Sequence, residues 1–581
     1  MTNILNQYTN INQPAIATKP VPTAEQTQAA NVQPKEVEPK NSNILEKFLN
    51  QAAINANVKV APVDSKNVQS VTWQNNLRTL FQNNEAVIMG IIPRTFNAKN
   101  KEGNQLIRGN DEKGTFINAI ERLDEMKKLG INTFHVLPIH PPGIENAMGT
   151  AGSLYAPADF LKIDPALDDP NDPRPVEEEL KTFINECHKR GIHVMLDLPS
   201  CASFDMFKER PELMAFERNG LAKTPQGWND IRMFNPWKDE SKKELNPELI
   251  DMHKKYVDMC VDFGFDGIRS DVARTKPTEF WDIIIPYSRA RDPQFAWLAE
   301  SYTYEDASPQ LNMNYDRPED SLRAGFDSYY GQYHIFHEWT KASELIDYVK
   351  ENINMTHTMD KGKSLIGSFG THDDISLMFS GGPNFINLVS GLQATLPMTN
   401  PYFMDGYQSG DDYIYDFEGQ SDPETNTKNH ECTVHKGRPD IFNFSRPLIG
   451  QHPEVGNFLE ASLKMRDEHK DIITKGSFIP LKVENNPGDQ IIAFARHLNG
   501  KTVLVVANRS INDRQKASIN IPGLSESQEL KNLVPTYGEE STLQAENGKL
   551  NVDLGASRIH IFEINTPEIE KSGLEVLKQN L

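Results

Sequence analysis

From residue 73 onward the chain repeats one pattern: a short apolar run, then a longer stretch with apolar residues at helical spacing. "AVIMGIIPRTF" (86–96) precedes a helical stretch from Thr115 with Phe116, Ile120 and Leu123 on one face and Gly130 past its end. "INTFHVLPIH" (131–140) leads to Val176, Leu180, Phe183, Ile184 and Cys187, a helix that stops at Gly191. "HVMLDLP" (193–199) is followed, after a loop-rich excursion at about 201–245, by a helix with Asn246 as N-cap and Pro247 in its first turn. "GFDGIRSDVA", "FAWLAES" (295–301), "SLIGSFGTHDD" (364–374) and the run from Leu392 to Met404 read as later strands. Short apolar strands alternating with amphipathic helices predict a parallel sheet covered by helices. Two architectures satisfy this, the doubly wound sheet and the eight-fold barrel. No Gly-rich phosphate loop follows the first strand, and polar residues recur at strand C-terminal ends. That combination predicts the α/β class, a (β/α)8 TIM barrel over residues 73–475.

The flanks have a different texture. Residues 1–72 are rich in Asn, Gln, Pro, Thr and Ala without periodicity, which predicts a disordered low-complexity lead. Residues 476–565 are β only: "QIIAFARHLNGKTVLVVANRS" carries two strands joined at Asn499–Gly500, a hairpin signal. A C-terminal antiparallel β-sandwich domain is expected there, with 566–581 as a tail. The net charge of −21 argues against nucleic acid or an anionic membrane as partner, because both need clustered cations. Cys187, Cys201, Cys260 and Cys432 form no C-x-x-C pair and read as reduced structural thiols. The N-terminus lacks a basic start and an apolar run, and no segment has bilayer-spanning length, so a cytoplasmic protein is expected. Oligomeric state has no signature in the sequence.

Three predicted strands end in acids: Asp271, Glu300 and Asp373. At one edge of a barrel these would converge on a single cleft. Two carboxylates about 5 Å apart suit a retaining glycosidase, one as nucleophile and one as general acid/base. Residues two apart in a strand share a face, so Arg269 lies beside Asp271 and is expected to keep it ionised. Glu300 follows "WLA", an apolar wall expected to hold it protonated. A salt bridge closing the barrel rim accounts for the same Arg and Asp equally well, and both readings stand at this point.

"VMLDLPS", "GFDGIRSDVA", "WLAES" and "GSFGTHDD" resemble, in order and spacing, the four signature regions of the α-amylase superfamily, glycoside hydrolase family 13. "PRTF", "LYAPADF" (154–160) and the C-terminal sheet region extend the resemblance over roughly residues 75–565. It implies Asp271 as nucleophile, Glu300 as acid/base and Asp373 as a third acid gripping sugar hydroxyls. It further implies substrate-binding roles for Arg269, His372, Tyr155 (a sugar-stacking position) and Asp197. The implied activity is hydrolysis or transglycosylation of α-glucans or maltooligosaccharides with retention. "DVARTKPTEFW" and "LAESYTYED" resemble the maltosyltransferase branch that uses maltose 1-phosphate, although Val272 stands where that branch carries Asn. Cys201 and Ala202 replace an Asn calcium ligand and a His of the family. Calcium needs oxygen ligands, so no cofactor is expected and no metal at that position. The rival reading is a catalytically silent barrel that binds glucan or a partner protein.

Trp228 and Trp237 fit sugar platforms, but a small core in the excursion is the preferred reading. His135 and His140 flank "VLPI" without metal-ligand spacing and read as hydrogen-bonding groups at a strand end. "DDPNDP" (168–173) lacks the glycine and terminal glutamate of a calcium loop and reads as a solvated turn.

Overall fold

The computed structural model describes residues 73–99, 107, 112–147, 151–225, 230–301, 317–374, 376–412, 441–443, 452–524, 527–566 and 569–581. The N-terminal lead, Trp228 and Cys432 therefore lie outside the described residues.

Eight parallel strands close into a barrel in chain order. They are β1 (Ile88–Ile91), β2 (Thr133–Val136), β3 (His193–Leu198), β4 (Gly267–Ser270), β5 (Ala296–Ala299), β6 (Ser328–Tyr329), β7 (Ser364–Gly367) and β8 (Thr399–Met404). β8 pairs with β1 to complete the ring, Tyr402 opposite Ile88. The covering helices start and stop where local chemistry requires. Thr115 caps its helix by accepting from the Asn118 N–H, and Asn246 accepts from the N–H groups of Glu248 and Leu249. Gly130 and Gly264 end the helices Leu123–Leu129 and Pro247–Phe263 in the left-handed conformation, where a Cβ would be strained.

Side-chain alternation sorts each strand into two faces. Ile268, Leu196 and Leu198 point outward into the apolar layer under the helices, whereas Met195 and Leu298 point into the barrel with Ile88, Ile366 and Tyr402. Leu77 and Phe81, from a short helix before β1, close the lower end of that interior.

Two expectations are corrected. "PRTF" does not extend β1; Pro93 opens a single helical turn, Pro93–Phe96, because its missing N–H and fixed φ suit a first helical position. The segment from Leu392 begins as helix: Leu377–Thr395 precedes β8, interrupted at Gly382. Every residue from Phe385 to Thr395 is buried, so the helix has no polar face and its sequence mimics a buried strand. β6 was not foreseen, since two residues carry no periodicity.

Beyond the barrel, all strand pairing is antiparallel. A four-stranded sheet contains Ser477–Pro480 (β9), Ile491–Leu498 (β11), Lys501–Asn508 (β12) and Ile559–Asn565 (β17). A five-stranded sheet contains Val483–Glu484 (β10), Gln515–Asn520 (β13), Gln528–Lys531 (β14), Thr542–Glu546 (β15) and Lys549–Leu554 (β16). The β11–β12 hairpin turns at Asn499 and Gly500, both with positive φ, as the Asn-Gly signal requires. The sheets enclose an apolar layer of Leu504, Val506, Phe562, Ile519 and Val552, while Val505 and Ile561 on the opposite face join the core beneath the barrel helices. No described helix is long and apolar enough to cross a membrane.

Candidate active site

Arg269 sits at the centre of the barrel mouth, and its position follows from register. Asp197 on β3 pairs directly with Arg269 on β4, and both side chains are on the inward face. The Arg269 guanidinium is 1 % exposed. Its Nη1 donates to both oxygens of Asp197, at 2.9 and 3.0 Å, and to Asp271 Oδ1 at 3.1 Å. Its Nη2 donates to Glu300 Oε2 at 2.7 Å. One cation thus binds three carboxylates from three consecutive strands.

Each carboxylate has further partners. Asp197 Oδ2 accepts from the Tyr155 hydroxyl at 2.7 Å and lies 3.0 Å from His135 Nε2. Burial works to raise the Asp197 pKa, but Arg269, His135 and Tyr155 outweigh it and hold the group down at about 2. Asp271 Oδ2 accepts from the Ser200 hydroxyl at 2.5 Å and the Ser200 N–H at 2.9 Å. Glu300 Oε2 also accepts the Val272 N–H at 2.8 Å. Asp373 stands more open, with its side chain 37 % exposed and Oδ2 3.5 Å from His372 Nε2. Despite that opening, its carboxyl is partly desolvated within the cleft, and this and the charge of Glu300 raise its pKa above the usual carboxylate range. Tyr155 stacks on His372 at 5.4 Å between ring centroids and contacts its Nε2 at 2.9 Å, tying the β2 side of the mouth to the β7 side.

The electrostatic expectation for Asp271 does not hold. Asp271 is raised from the usual carboxylate range, first by burial and then by Glu300; Arg269 and Ser200 oppose this without prevailing. The reason is that Arg269 is shared three ways, with Asp197 holding two of its contacts. Glu300, expected against an apolar wall, instead faces a guanidinium and a backbone N–H. Trp297, two residues before Ala299, points away into the helices and donates to Ser288.

The seven residues to which the resemblance gives catalytic or substrate-binding roles gather at this mouth. Sequence reasoning missed several others. Ser200 stands at the end of β3 and was findable by the strand-end logic that found Asp271. Lys276, 1 % exposed, donates to the Ser200 carbonyl at 3.3 Å; burial lowers its pKa to about 8 against the pull of Cys201 and Asp271. Tyr256 donates to the Asp197 carbonyl at 2.7 Å. His135 and His140 are hydrogen-bonding groups, His135 to Asp197 and Tyr402, His140 Nδ1 to the Lys162 carbonyl at 2.8 Å. Trp237 is half-buried, its backbone bridged to Leu245.

Val272, directly after Asp271, has φ 34° and ψ 62°. A β-branched residue in the left-handed region is strained by about 1–2 kcal/mol. That conformation aims the Val272 N–H at Glu300, so the strain lies next to the chemistry.

The family's calcium position does not fit the residues present. Burial pushes the Cys201 thiol up to about 12, so it stays protonated, and the side chain of Ala202 beside it has no donor atom. Among the described residues, no group of three or more His, Cys, Asp or Glu side chains is arranged to hold a metal.

No family model matches the chain. An α-1,4-glucan:maltose-1-phosphate maltosyltransferase from Cereibacter sphaeroides is 28 % identical over 262 residues, 41 % of this chain and 35 % of that protein. A cyclomaltodextrinase from Geobacillus thermopakistaniensis is 24 % identical over 466 residues, 74 % of this chain and 68 % of that protein. A maltogenic α-amylase from Thermotoga neapolitana superposes with a TM-score of 0.61 at 19 % identity, over 83 % of this chain and 99 % of that one. In sequence and in fold, this chain resembles the α-amylase superfamily. The resemblance within glycoside hydrolase family 13 extends to maltosyltransferases, although the chain spans only about a third of the length of the first of these relatives. The superfamily's barrel and antiparallel C-terminal sheets are both present here.

Proposed function

We propose that this protein is a retaining α-glucan-active enzyme of the α-amylase superfamily, hydrolysing α-glucosidic bonds or transferring the glycosyl group to another sugar. The observation that carries this reading is the single guanidinium of Arg269 holding Asp271 and Glu300 together at the barrel mouth. In the first step, an Asp271 oxygen attacks the anomeric carbon as Glu300 gives its proton to the departing glycosidic oxygen. The carbon–oxygen bond breaks and a glycosyl ester forms on Asp271. In the second step, Glu300 takes a proton from water or an acceptor hydroxyl, whose oxygen displaces the ester and restores the original configuration. Asp271 must be ionised and Glu300 protonated at the outset. The raised pKa of Asp271 follows first from its burial and then from the neighbouring charge of Glu300. Arg269 and Ser200 position the nucleophile. In this reading Asp373, with His372 and Tyr155, grips sugar hydroxyls. The barrel over 73–475 is the catalytic region in this reading and 476–565 a companion sheet domain, in a protein working in the cytoplasm on α-glucan or maltooligosaccharide.

A second reading, a maltosyltransferase with a sugar-phosphate donor, is favoured by the maltosyltransferase names among the relatives. Incubation with glycogen, maltooligosaccharides and maltose 1-phosphate, with products resolved by chromatography, separates the two. The mechanism itself is tested by variants. Asp271→Asn should abolish turnover of every donor. Glu300→Gln should still be glycosylated by an α-glycosyl fluoride, release product slowly, and yield an α-configured azide adduct when azide is supplied. Near-normal rates in Asp271→Asn would move the nucleophile elsewhere and leave the silent binding barrel as the better account.

A further inference from the structure

Lys276 is a buried ammonium whose polar contacts, among the described residues, are two neutral oxygens. It donates to the Ser200 carbonyl at 3.3 Å and to Thr275 Oγ1 at 3.2 Å, and lies over the Phe234 ring at 5.5 Å. Taking an ion out of water costs several kcal/mol, and neutral partners recover only part of that. The chain nevertheless folds so as to put it there. After β4 it passes Asp271 and Val272 and makes one 3-10 turn, Ala273–Thr275, whose Ala273 carbonyl accepts from Trp281 Nε1 at 3.0 Å. Lys276 ends that turn in the extended conformation that a residue before proline prefers. The turn carries its side chain back against the end of β3, where Ser200 stands.

Ser200 links the lysine to the proposed nucleophile. Its carbonyl accepts from Lys276, while its hydroxyl and N–H both donate to Asp271 Oδ2, at 2.5 and 2.9 Å. The charges around Lys276 point the same way. Burial lowers its pKa to about 8, opposed by Cys201 and Asp271. The Cys201 thiol is pushed up to about 12 and stays protonated, and His253, on the helix Pro247–Phe263, is held neutral by burial and by Lys276 itself. Asp271 is therefore the anion that favours the ammonium at neutral pH, and by reciprocity the ammonium favours ionised Asp271. Asp271 is also faced by Glu300, Arg269 and Asp197, and acts on Asp373 across the mouth. A change at Lys276 leaves those four in place.

We propose that Lys276 is a positioning residue for the nucleophile: through the Ser200 carbonyl it fixes the two donors on Asp271 Oδ2, and its charge favours Asp271 as a carboxylate, both before attack and as the leaving group of the glycosyl ester. This rests on Asp271 being the nucleophile of the reading above.

Two variants of the full chain test it. Lys276→Met removes donor and charge; Lys276→Gln removes the charge and keeps an N–H donor for the Ser200 carbonyl. Fluoride release from an α-glycosyl fluoride, followed across pH, gives kcat and KM. In Lys276→Met, kcat should fall about tenfold or more with KM within about twofold. The acid limb of kcat/KM should move up by at least about half a pH unit, because Asp271 loses a nearby cation. Lys276→Gln should recover part of kcat and keep the displaced limb, and it carries the test if Lys276→Met folds poorly. The Asp271 titration is also read without substrate, by 13C NMR of the chain labelled at the aspartate side-chain carboxyl and assigned by its loss in Asp271→Asn. It should rise in both variants. An Asp271 titration unmoved in both overturns the proposal, even where the native chain turns over every donor. A loss of kcat with the acid limb unmoved overturns it too, leaving Lys276 a structural residue. A displaced titration in a native chain that turns over no glycosyl donor supports the coupling of Lys276 to Asp271 and defeats the glycosidase reading instead.

Discussion

Replacing Arg269 with Met removes the guanidinium while keeping a stem of similar reach. Asp197, with its side chain wholly buried, would then lose two hydrogen bonds and its main counter-charge, and Asp271 and Glu300 would lose one bond each. Removing one partner from a buried ion pair costs about 3–5 kcal/mol, because the remaining charges are left uncompensated. Unfolding about 500 ordered residues carries an entropy near 1 kcal/mol/K at about 2.1 cal/mol/K per residue, so the midpoint should fall by about 3–5 °C. The pH dependence has a definite sign. In the native chain Asp197 is held at about 2, a depressed folded value, and its contribution is present above about pH 4 and lost as pH falls toward 2. Without Arg269 that contribution disappears and Asp271, already raised, rises further. The variant's deficit should therefore already be present at pH 4 and grow further toward pH 7, as the unpaired buried acids are forced to ionise. Calorimetric unfolding of both proteins between pH 4 and pH 8 measures this, with turnover followed in parallel. A deficit below about 1 kcal/mol at pH 7, or one that does not change with pH, would refute the view that Arg269 is the charge that makes the three-carboxylate cluster tolerable.

The raised Asp271 places the acid limb of kcat/KM for an α-glycosyl fluoride above the ordinary carboxylate range near 4, because the nucleophile must lose its proton to attack. A limb at or below about pH 4 would contradict that assignment. Val272→Asn should raise the unfolding midpoint by about 1 °C, since Asn tolerates the left-handed conformation that costs Val about 1–2 kcal/mol; a clear fall would mean the Val side chain contributes packing that outweighs its strain. A strong chelator should leave activity and melting unchanged, because the side chains of Cys201 and Ala202 supply no oxygen ligand. Inactivation reversed by added calcium would locate a metal elsewhere.

The sequence by itself determined the architecture wherever a local rule forces the outcome. Strand–helix alternation, with polar residues at the strand ends and no Gly-rich phosphate loop after the first strand, pointed to the parallel barrel; Asn246–Pro247 and Gly130 set helix boundaries, and Asn499–Gly500 set the hairpin. Strand periodicity also placed Arg269 and Asp271 on one face, and strand ends pointed to Glu300 and Asp373. What failed were inferences that needed neighbours distant in the chain. The buried helix ending at Thr395 has no polar face, so only its packing between other elements distinguishes it from a strand. The charge state around Arg269 was misread for the same reason. From sequence the arginine has one visible partner, two residues away, but β3–β4 register gives it Asp197 and the β5 end gives it Glu300. A proton affinity is set by every charge within a few ångströms and by exclusion of water, and both are properties of the closed barrel.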